Sequence, residues 1–310
     1  MKDKVMVIGG SGFLGSHLAD ALSESGYAVT VFDKNPSPWL GPSQNMIIGN
    51  ILDEKALSKA LKGMRYVYHV AAISDITEAA KSPRETVSND IIGSTIVLEN
   101  CIRAKVERIL YASTMYVYSQ QGSFYRVSKQ AVELLIEAYY EHFGLKYTIL
   151  RYGSLYGPRA QQWNGLKRWI TQAIKEGRII YPGSGEERRE YIHVKDAARL
   201  SVLALLPEYA NRCLTITGTQ TLNSKDLLSM IYEVLGRDIK FDFRQRGRDP
   251  GHYVMTPYRY TPRAATKIVP NSFIDIGQGI LDLVEEIYQE NEAGKTKKSF
   301  RKVMKTRKKK

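Results

Sequence analysis

Thr114, Tyr125 and Lys129 are residues whose types and spacing could move a proton. Tyr125 and Lys129 lie four positions apart, so a helix running from about residue 124 onward sets them on one face, a turn apart. A phenol with an ordinary pKa of about 10 is a poor base at neutral pH. A lysine ammonium beside it favours the phenolate and brings that pKa toward the working range. Thr114 closes the run Ala112-Ser113-Thr114, which reads as the carboxyl end of a strand, and its hydroxyl could hold the same substrate oxygen. Open α/β sheets bind ligands at that edge.

A second constellation stands at the start of the chain. A β-branched run leads into Gly9-Gly10-Ser11-Gly12-Phe13-Leu14-Gly15 and then directly into a helical pattern. Glycines there let the backbone turn sharply and let a pyrophosphate approach, while the helix N-terminus offers N–H groups and positive dipole. The spacing G-x-x-G-x-x-G is one residue longer than the usual dinucleotide fingerprint, but strand before and helix after are the right context. Some 20 residues on, the next strand pattern ends at Asp33. A carboxylate at that place accepts from ribose hydroxyls and repels a 2′-phosphate, which favours NAD over NADP.

The elements that must position these groups alternate along the first two-thirds of the chain. Short, nearly continuous hydrophobic runs at 5–8, 28–32, 46–48, 66–70, 108–112 and 147–151 read as strands. Strands hydrophobic on both faces belong to a parallel sheet covered by helices. Helical patterns lie between them at 16–25, 55–61, 94–103 and 129–143. That rhythm predicts a doubly wound α/β sheet. After about residue 155 the rhythm breaks into helices at 166–176, 194–206 and 224–235, a strand at 213–217, a turn-rich stretch at 177–185, an irregular stretch at 244–263 and a last helix at 276–290. This predicts a smaller C-terminal lobe built from insertions.

The sequence resembles the short-chain dehydrogenase superfamily in its extended branch of NAD-dependent sugar-nucleotide epimerases and dehydratases. The resemblance covers roughly residues 1–290 in order. Gly9, Gly12 and Gly15 are similar to the family's nucleotide turn, and His69-Val70-Ala71-Ala72 to its fourth-strand signature. Thr114, Tyr125 and Lys129 match its catalytic triad. Leu150-Arg151-Tyr152 through Tyr156-Gly157-Pro158-Arg159 resembles its sixth-strand block, and Arg189 through Asp196 a later block.

The resemblance implies a Rossmann-type domain from 1–155 and 190–218, a substrate lobe from 156–189 and 219–290, and a tail at 291–310. It implies an NAD-dependent sugar-nucleotide epimerase that oxidises C4 of the sugar transiently, in nucleotide-sugar and polysaccharide biosynthesis. Tyr125 would be the general base, Lys129 would hold the nicotinamide ribose, and Thr114 would orient the reacting hydroxyl. NAD would lie against Gly9, Gly12, Phe13, Leu14, Gly15, Asp33, Asn50, Ile51, Val70, Ala71, Ala72 and Tyr152, as well as Tyr125 and Lys129. The substrate, a UDP-, GDP- or dTDP-linked sugar, would meet Thr114, Ser154 and Arg189. The family also implies a homodimer through the helices 94–103 and 129–143.

Several positions depart from the family pattern. Asn50 replaces the usual adenine-reading aspartate, and Asp90 stands where an asparagine is common, with Asn89 beside it as a shifted substitute. Ser154 replaces an asparagine that often contacts the sugar nucleotide. Met115 and Tyr116 stand where 4,6-dehydratases carry an acidic pair, so dehydration lacks an evident catalyst. Residues 119–124, SQQGSF, replace a longer loop that helps wall the sugar site. A trimmed surface loop and a more open site are both consistent with that change.

Composition bounds the alternatives. With 310 residues, 43% hydrophobic, the chain has material for a substantial core. Cys101 and Cys213 fall in no metal-ligand spacing and can form no disulfide framework, so no metal is expected and a reducing, cytoplasmic setting is. No apolar stretch approaches the roughly 20 residues of a membrane span. The formal charge of +13 invites a nucleic-acid reading, but residues 295–310 carry ten Lys and Arg and no acid. The preceding 294 residues hold 35 basic and 32 acidic residues. The excess therefore belongs to a basic tail suited to an anionic membrane or nucleic acid, and the body is nearly balanced. A reductase or dehydrogenase on the same scaffold, and a nucleic-acid-binding protein that kept the fold, are the competing readings.

Overall fold

In the computed structural model, described over residues 2–219, 221–236, 238–244, 252 and 254–257, the hydrophobic runs form strands of one parallel sheet. All of these residues belong to one compact unit, Met1–Thr261. The chain enters through β1 (Lys4–Ile8), α1 (Phe13–Glu24), β2 (Ala28–Asp33), β3 (Asn45–Ile48), α2 (Glu54–Ala60) and β4 (Tyr66–His69). Two short helices, α3 (Ile76–Lys81) and α4 (Pro83–Thr86), lead through a π-helical turn at Val87–Ile92 into α5 (Gly93–Arg103) and β5 (Arg108–Thr114). A 3-10 turn at Met115–Tyr118 precedes α6 (Ser123–Phe143), β6 (Lys146–Tyr152) and β7 (Ser154–Tyr156). Next come α7 (Gly165–Glu176), β8 (Arg178–Tyr181), β9 (Arg188–His193) and α8 (Val194–Leu203). The remaining elements are a 3-10 turn at Pro207–Tyr209, β10 (Arg212–Ile216), β11 (Thr221–Asn223), α9 (Ser224–Leu235) and β12 (Lys240–Phe243).

Seven strands join in the order β10-β6-β5-β4-β1-β2-β3, every pair parallel. The fold is α/β, and strand order reverses between β1 and β4, which opens a crevice at their carboxyl ends. One face buries Leu57, Val97, Leu98, Cys101, Val132 and Ile136 from α2, α5 and α6. The other buries Leu18, Leu22 and Ala197 from α1 and α8. All seven residues of β5 are buried, as a central strand covered on both faces requires.

A separate cluster of Trp169, Ala173, Ile179, Tyr181, Leu227, Leu228 and Ile231 holds α7, β8 and α9 together. Here the structure differs from the sequence reading. The stretch 177–185, read as turns, contains β8, which pairs in parallel with β12 some 60 positions on. A four-residue strand whose partner is that distant leaves no local periodicity to read. The helix expected over 194–206 ends at Leu203, because Pro207 cannot continue it and Leu206 before it is extended. The helix carrying Tyr125 begins at Ser123, between Gly122 and Gly144, both in the left-handed region. The helix expected at 276–290 and the basic tail lie outside the described residues.

Candidate active site

The carboxyl edge of the sheet opens onto a cavity of about 700 Å³. Every residue the sequence singles out for cofactor or substrate lines it: Gly9 through Gly15 by way of Gly12, Phe13 and Leu14; Asp33, Asn50 and Ile51; Val70, Ala71 and Ala72; and Thr114, Tyr125, Lys129, Tyr152, Ser154 and Arg189. Trp163 lines it as well, whereas Trp39 sits outside it with Arg159 over its ring.

At one end the backbone itself forms the wall. Gly9 has φ +87°, and a Cβ there would stand 2.6 Å from the Ala71 nitrogen at the exit of β4. A Cβ on Gly15 would stand 2.2 Å from the Gly9 carbonyl oxygen. The turn is therefore pressed against its neighbours and has no room for a side chain at Gly9 or Gly15. Gly12 caps α1 with no side-chain hydrogen bond, and the first turn of α1 carries no acid. That leaves a helix N-terminus suited to an anion. Asp33 is fixed beside it: Oδ2 accepts from the Ser11 N–H and Oδ1 from the Asn35 N–H, each at 3.0 Å. A glycine cradle, an uncapped helix start and a strand-end carboxylate fit the diphosphate and ribose of NAD. Asn50 turns its Oδ1 to the Leu52 N–H at 2.9 Å.

At the centre stand the proton-handling groups. Thr114 is buried at the end of β5, and its Oγ1 accepts from the Tyr116 N–H at 3.3 Å. Tyr125, Lys129 and Glu133 follow one another at four-residue spacing along α6. Glu133 accepts from the Ser113 hydroxyl at 2.5 Å and from Arg151, to which it is paired at 2.6 Å. Those contacts bolt α6 to β5 and β6 just behind the site. Lys129 is fully buried; Nζ donates to the Ala112 carbonyl at 2.7 Å and lies 5.7 Å from the Tyr125 ring centroid. Burial drives its pKa down to about 8, opposed by the carboxylates of Asp90 and Glu133. Tyr152 also lines the cavity, but burial pushes its phenol well up and its hydroxyl pairs with Ser201. It is no candidate for the base.

Asp90 has a role that motif reading missed. It is buried in the π-helical turn, with Oδ1 accepting from the Ile73 N–H and the Asn89 amide, both at 2.9 Å, and Oδ2 from the Ser128 hydroxyl at 3.1 Å. It thus clamps the exit of β4 to α6 while Asn89 lines the cavity. A π-turn is a frequent device for aiming such groups. The short segment after Tyr118 is tied down at its start: Arg126 donates to the Ser119 carbonyl and the Gln121 N–H to the Ser119 hydroxyl oxygen, each at 2.9 Å.

Further cavity residues, to which the sequence assigns no role, come from 161–191, from the turn after β5 and from a distant strap. They are Gln161, Asn164, Trp169, Tyr181, Glu187 and Tyr191, together with Tyr116, Gln121, His252 and Val254. Residues 254–256 run alongside the start of β9, with the Arg188 N–H donating to the Val254 carbonyl and the Thr256 N–H to the Arg188 carbonyl. Among the described residues no group of three or more His, Cys, Asp or Glu side chains could hold a metal, and no helix is long and apolar enough to cross a membrane.

Comparison with known proteins places this geometry in context. The family model described as NAD dependent epimerase/dehydratase family matches residues 5–212. A putative UDP-glucose 4-epimerase of Methanocaldococcus jannaschii is 27% identical over 257 residues, covering 75% of this chain and 82% of the relative. A UDP-N-acetyl-alpha-D-glucosaminuronate decarboxylase of Bacillus cytotoxicus is 28% identical over 232 residues, covering 66% and 72%. The crystal structure of UDP-glucuronic acid 4-epimerase from Bacillus cereus, in complex with UDP-glucuronic acid and NAD, superposes with a TM-score of 0.76 at 27% identity, covering 84% of this chain and 95% of the other.

Proposed function

Because the chain belongs to the NAD dependent epimerase/dehydratase family, we propose that it is a sugar-nucleotide epimerase that inverts C4 of a UDP-linked sugar through transient oxidation at that carbon. The observation that carries this reading is the convergence of Thr114, Tyr125 and Lys129 on one cavity with the glycine cradle and Asp33. The names of the relatives described above support the UDP linkage.

NAD, when bound, would supply the redox chemistry, as the reversible two-electron (hydride) acceptor for the sugar carbon. The chain supplies position and protons. Tyr125 takes the proton of the C4 hydroxyl as that carbon is oxidised and gives it back on reduction. Lys129, held four residues along the same helix, stabilises the phenolate and carries the ribose contact. Thr114 fixes the reacting oxygen at the strand end. The cradle formed by Gly9, Gly12, Phe13, Leu14 and Gly15 receives the diphosphate of the cofactor, with Asp33 on the adenosine ribose. Ser154 and Arg189 belong to the sugar-nucleotide end, where a guanidinium meets the substrate diphosphate.

Neither redox partner is consumed in this scheme, and that makes the test sharp. Purified protein is assayed against UDP-, GDP- and dTDP-sugars for the C4 epimer, with absorbance at the reduced-nicotinamide band followed in parallel. Epimer formation without net change in NAD is the expected result. Stoichiometric production or consumption of NADH would instead make the protein a dehydrogenase or reductase.

A further inference from the structure

Lys129 carries an ammonium into the core with no counter-ion against it. One of its protons goes to the Ala112 carbonyl at 2.7 Å. Among the described residues no carboxylate pairs with it. Asp90 accepts from Ile73, Asn89 and Ser128, and Glu133 from Ser113 and Arg151, so both reach Lys129 only through space. A buried ammonium in that position sheds its proton unless something else favours the charge.

The Tyr111 ring stands where that something is needed. Lys129 Nζ lies 4.8 Å from the centroid of the Tyr111 ring, closer than the 5.7 Å to the Tyr125 ring. An aromatic face carries negative partial charge, and its pull on a cation grows as water is excluded. Tyr111 is 1% exposed and does not line the cavity. Its place is set by β5, in register opposite His69 of β4, whose ring rests against it with centroids 5.6 Å apart.

The groups around this contact are accounted for on every side. Asp90 comes from the π-helical turn, Tyr125 and Glu133 from the same helix as Lys129, and His69 from the neighbouring strand. His69 stays neutral, because burial and the nearby ammonium push its pKa down to about 3, so it brings no second cation to the ring. Burial pushes the Tyr111 phenol well above its ordinary range, so the ring brings no anion either. What Tyr111 offers the ammonium is its face.

We propose that Tyr111 is a positioning residue for the proton transfer, the face of its ring holding Lys129 charged beside Tyr125 without meeting substrate or cofactor. This rests on the reading given above, in which Tyr125 carries the proton. A charged Lys129 favours the Tyr125 phenolate and a neutral one does not. With a hydrocarbon in place of the ring, Lys129 loses its proton at a lower pH and Tyr125 ionises at a higher one. The Tyr111 hydroxyl plays no part, so a phenylalanine serves equally well.

The test reads Tyr125 itself and needs neither NAD nor a sugar nucleotide. Tyrosinate absorbance of the full-length protein is followed against pH, over the range in which circular dichroism shows it folded. Subtracting the curve of the same protein with Tyr125→Phe added isolates Tyr125. Relative to Tyr111→Phe, Tyr111→Leu should raise the Tyr125 midpoint by about one pH unit, roughly a tenfold loss of phenolate below both midpoints. Tyr111→Met, which fills more of the space and equally lacks a ring, covers the case of a leucine variant that does not fold and should shift the same way. Tyr111→Phe should match the parent. A midpoint in the leucine or methionine variant equal to that of Tyr111→Phe would overturn the proposal. So would a Tyr111→Phe midpoint shifted as far as theirs, which would give the role to the hydroxyl. Failure of the epimerase reading shows separately, as no C4 epimer from any sugar nucleotide, and leaves this titration intact.

Discussion

Residues 9–15 and Asp33 reach the cavity from one βαβ unit, whereas Tyr116, Arg189 and His252 reach it from segments far apart in the chain. The first end is backbone: glycines whose missing side chains leave no room to spare, and a helix start without a cap. The second is side chains, held by the strap on β9, the β8–β12 pair and the packing of Trp169 on Tyr181. A diphosphate can be received by the same few backbone atoms in any such turn. A particular sugar must be read by groups that this chain alone brings together. The cofactor end should therefore fail through collision, and the sugar end through loosened anchoring.

Tyr125, at the seam of the two ends, is where the largest effect is expected. Tyr125→Phe removes the proton carrier while keeping the ring against Tyr116, and kcat for the C4 epimer should fall by about 10²–10⁴-fold. A variant as fast as the parent would remove Tyr125 from the mechanism.

Gly15→Ala tests the cofactor end. Its Cβ would meet the Gly9 carbonyl oxygen at 2.2 Å and the Gly10 Cα at 2.7 Å, both backbone, so no side-chain rotation relieves it. Overpacking of that kind costs about 1–3 kcal/mol, read by chemical denaturation, with a weaker Kd for NAD from titration. Unchanged stability and NAD affinity would mean that the turn can move.

Behind the turn, His69 gives the same half of the molecule a dependence on pH. Its Nε2 pairs with the Ser94 hydroxyl at 2.8 Å, and burial, with Lys129 nearby, pushes its pKa down to about 3. The unfolded chain binds a proton there at about pH 6.5, while the folded chain does not until far lower. Stability contributed by neutral His69 is thus fully present above the unfolded value and is lost as the pH falls toward the folded one. The loss is at most about 1.4 kcal/mol per pH unit for this one group. Denaturation midpoints between pH 7 and 4 should fall less steeply in His69→Gln than in the parent; identical slopes would show that other groups set the acid limit.

The same division governs what the sequence makes legible. The glycine turn, Asp33 and the Tyr125–Lys129 spacing are local patterns, and spacing alone sets them on a turn, a strand end and one helix face. The five inner strands β1, β2, β4, β5 and β6 are equally plain, because burial on both faces makes each a nearly continuous apolar run, whereas the edge strands β3 and β10 are far less covered. His252 carries no such signal. It sits in an irregular stretch rich in Gly, Pro and Arg, and its place comes from a contact with Tyr116 across 136 positions. Asp90 reads as a departure from a motif, and only its bonds to Ile73, Asn89 and Ser128 give it a task. Strands β8 and β12 are four residues each and define one another only once paired.

Thr256 offers the mildest and most selective probe of the sugar end. It lies outside the cavity wall, yet its Oγ1 accepts the Glu190 N–H at 3.2 Å and so ties the strap to β9 next to Arg189. Thr256→Val keeps the shape and deletes the acceptor, at a cost of about 1 kcal/mol for one buried hydrogen bond. If anchoring of the strap sets the sugar end, KM for the sugar nucleotide should rise about fivefold, while NAD affinity, governed by a turn built elsewhere, stays at the parent value. Equal losses in both would mean that the two ends move as one body. The independence argued from their construction would then be wrong, and the hydrogen bonds between the strap and β9 would be felt as far as the glycine turn.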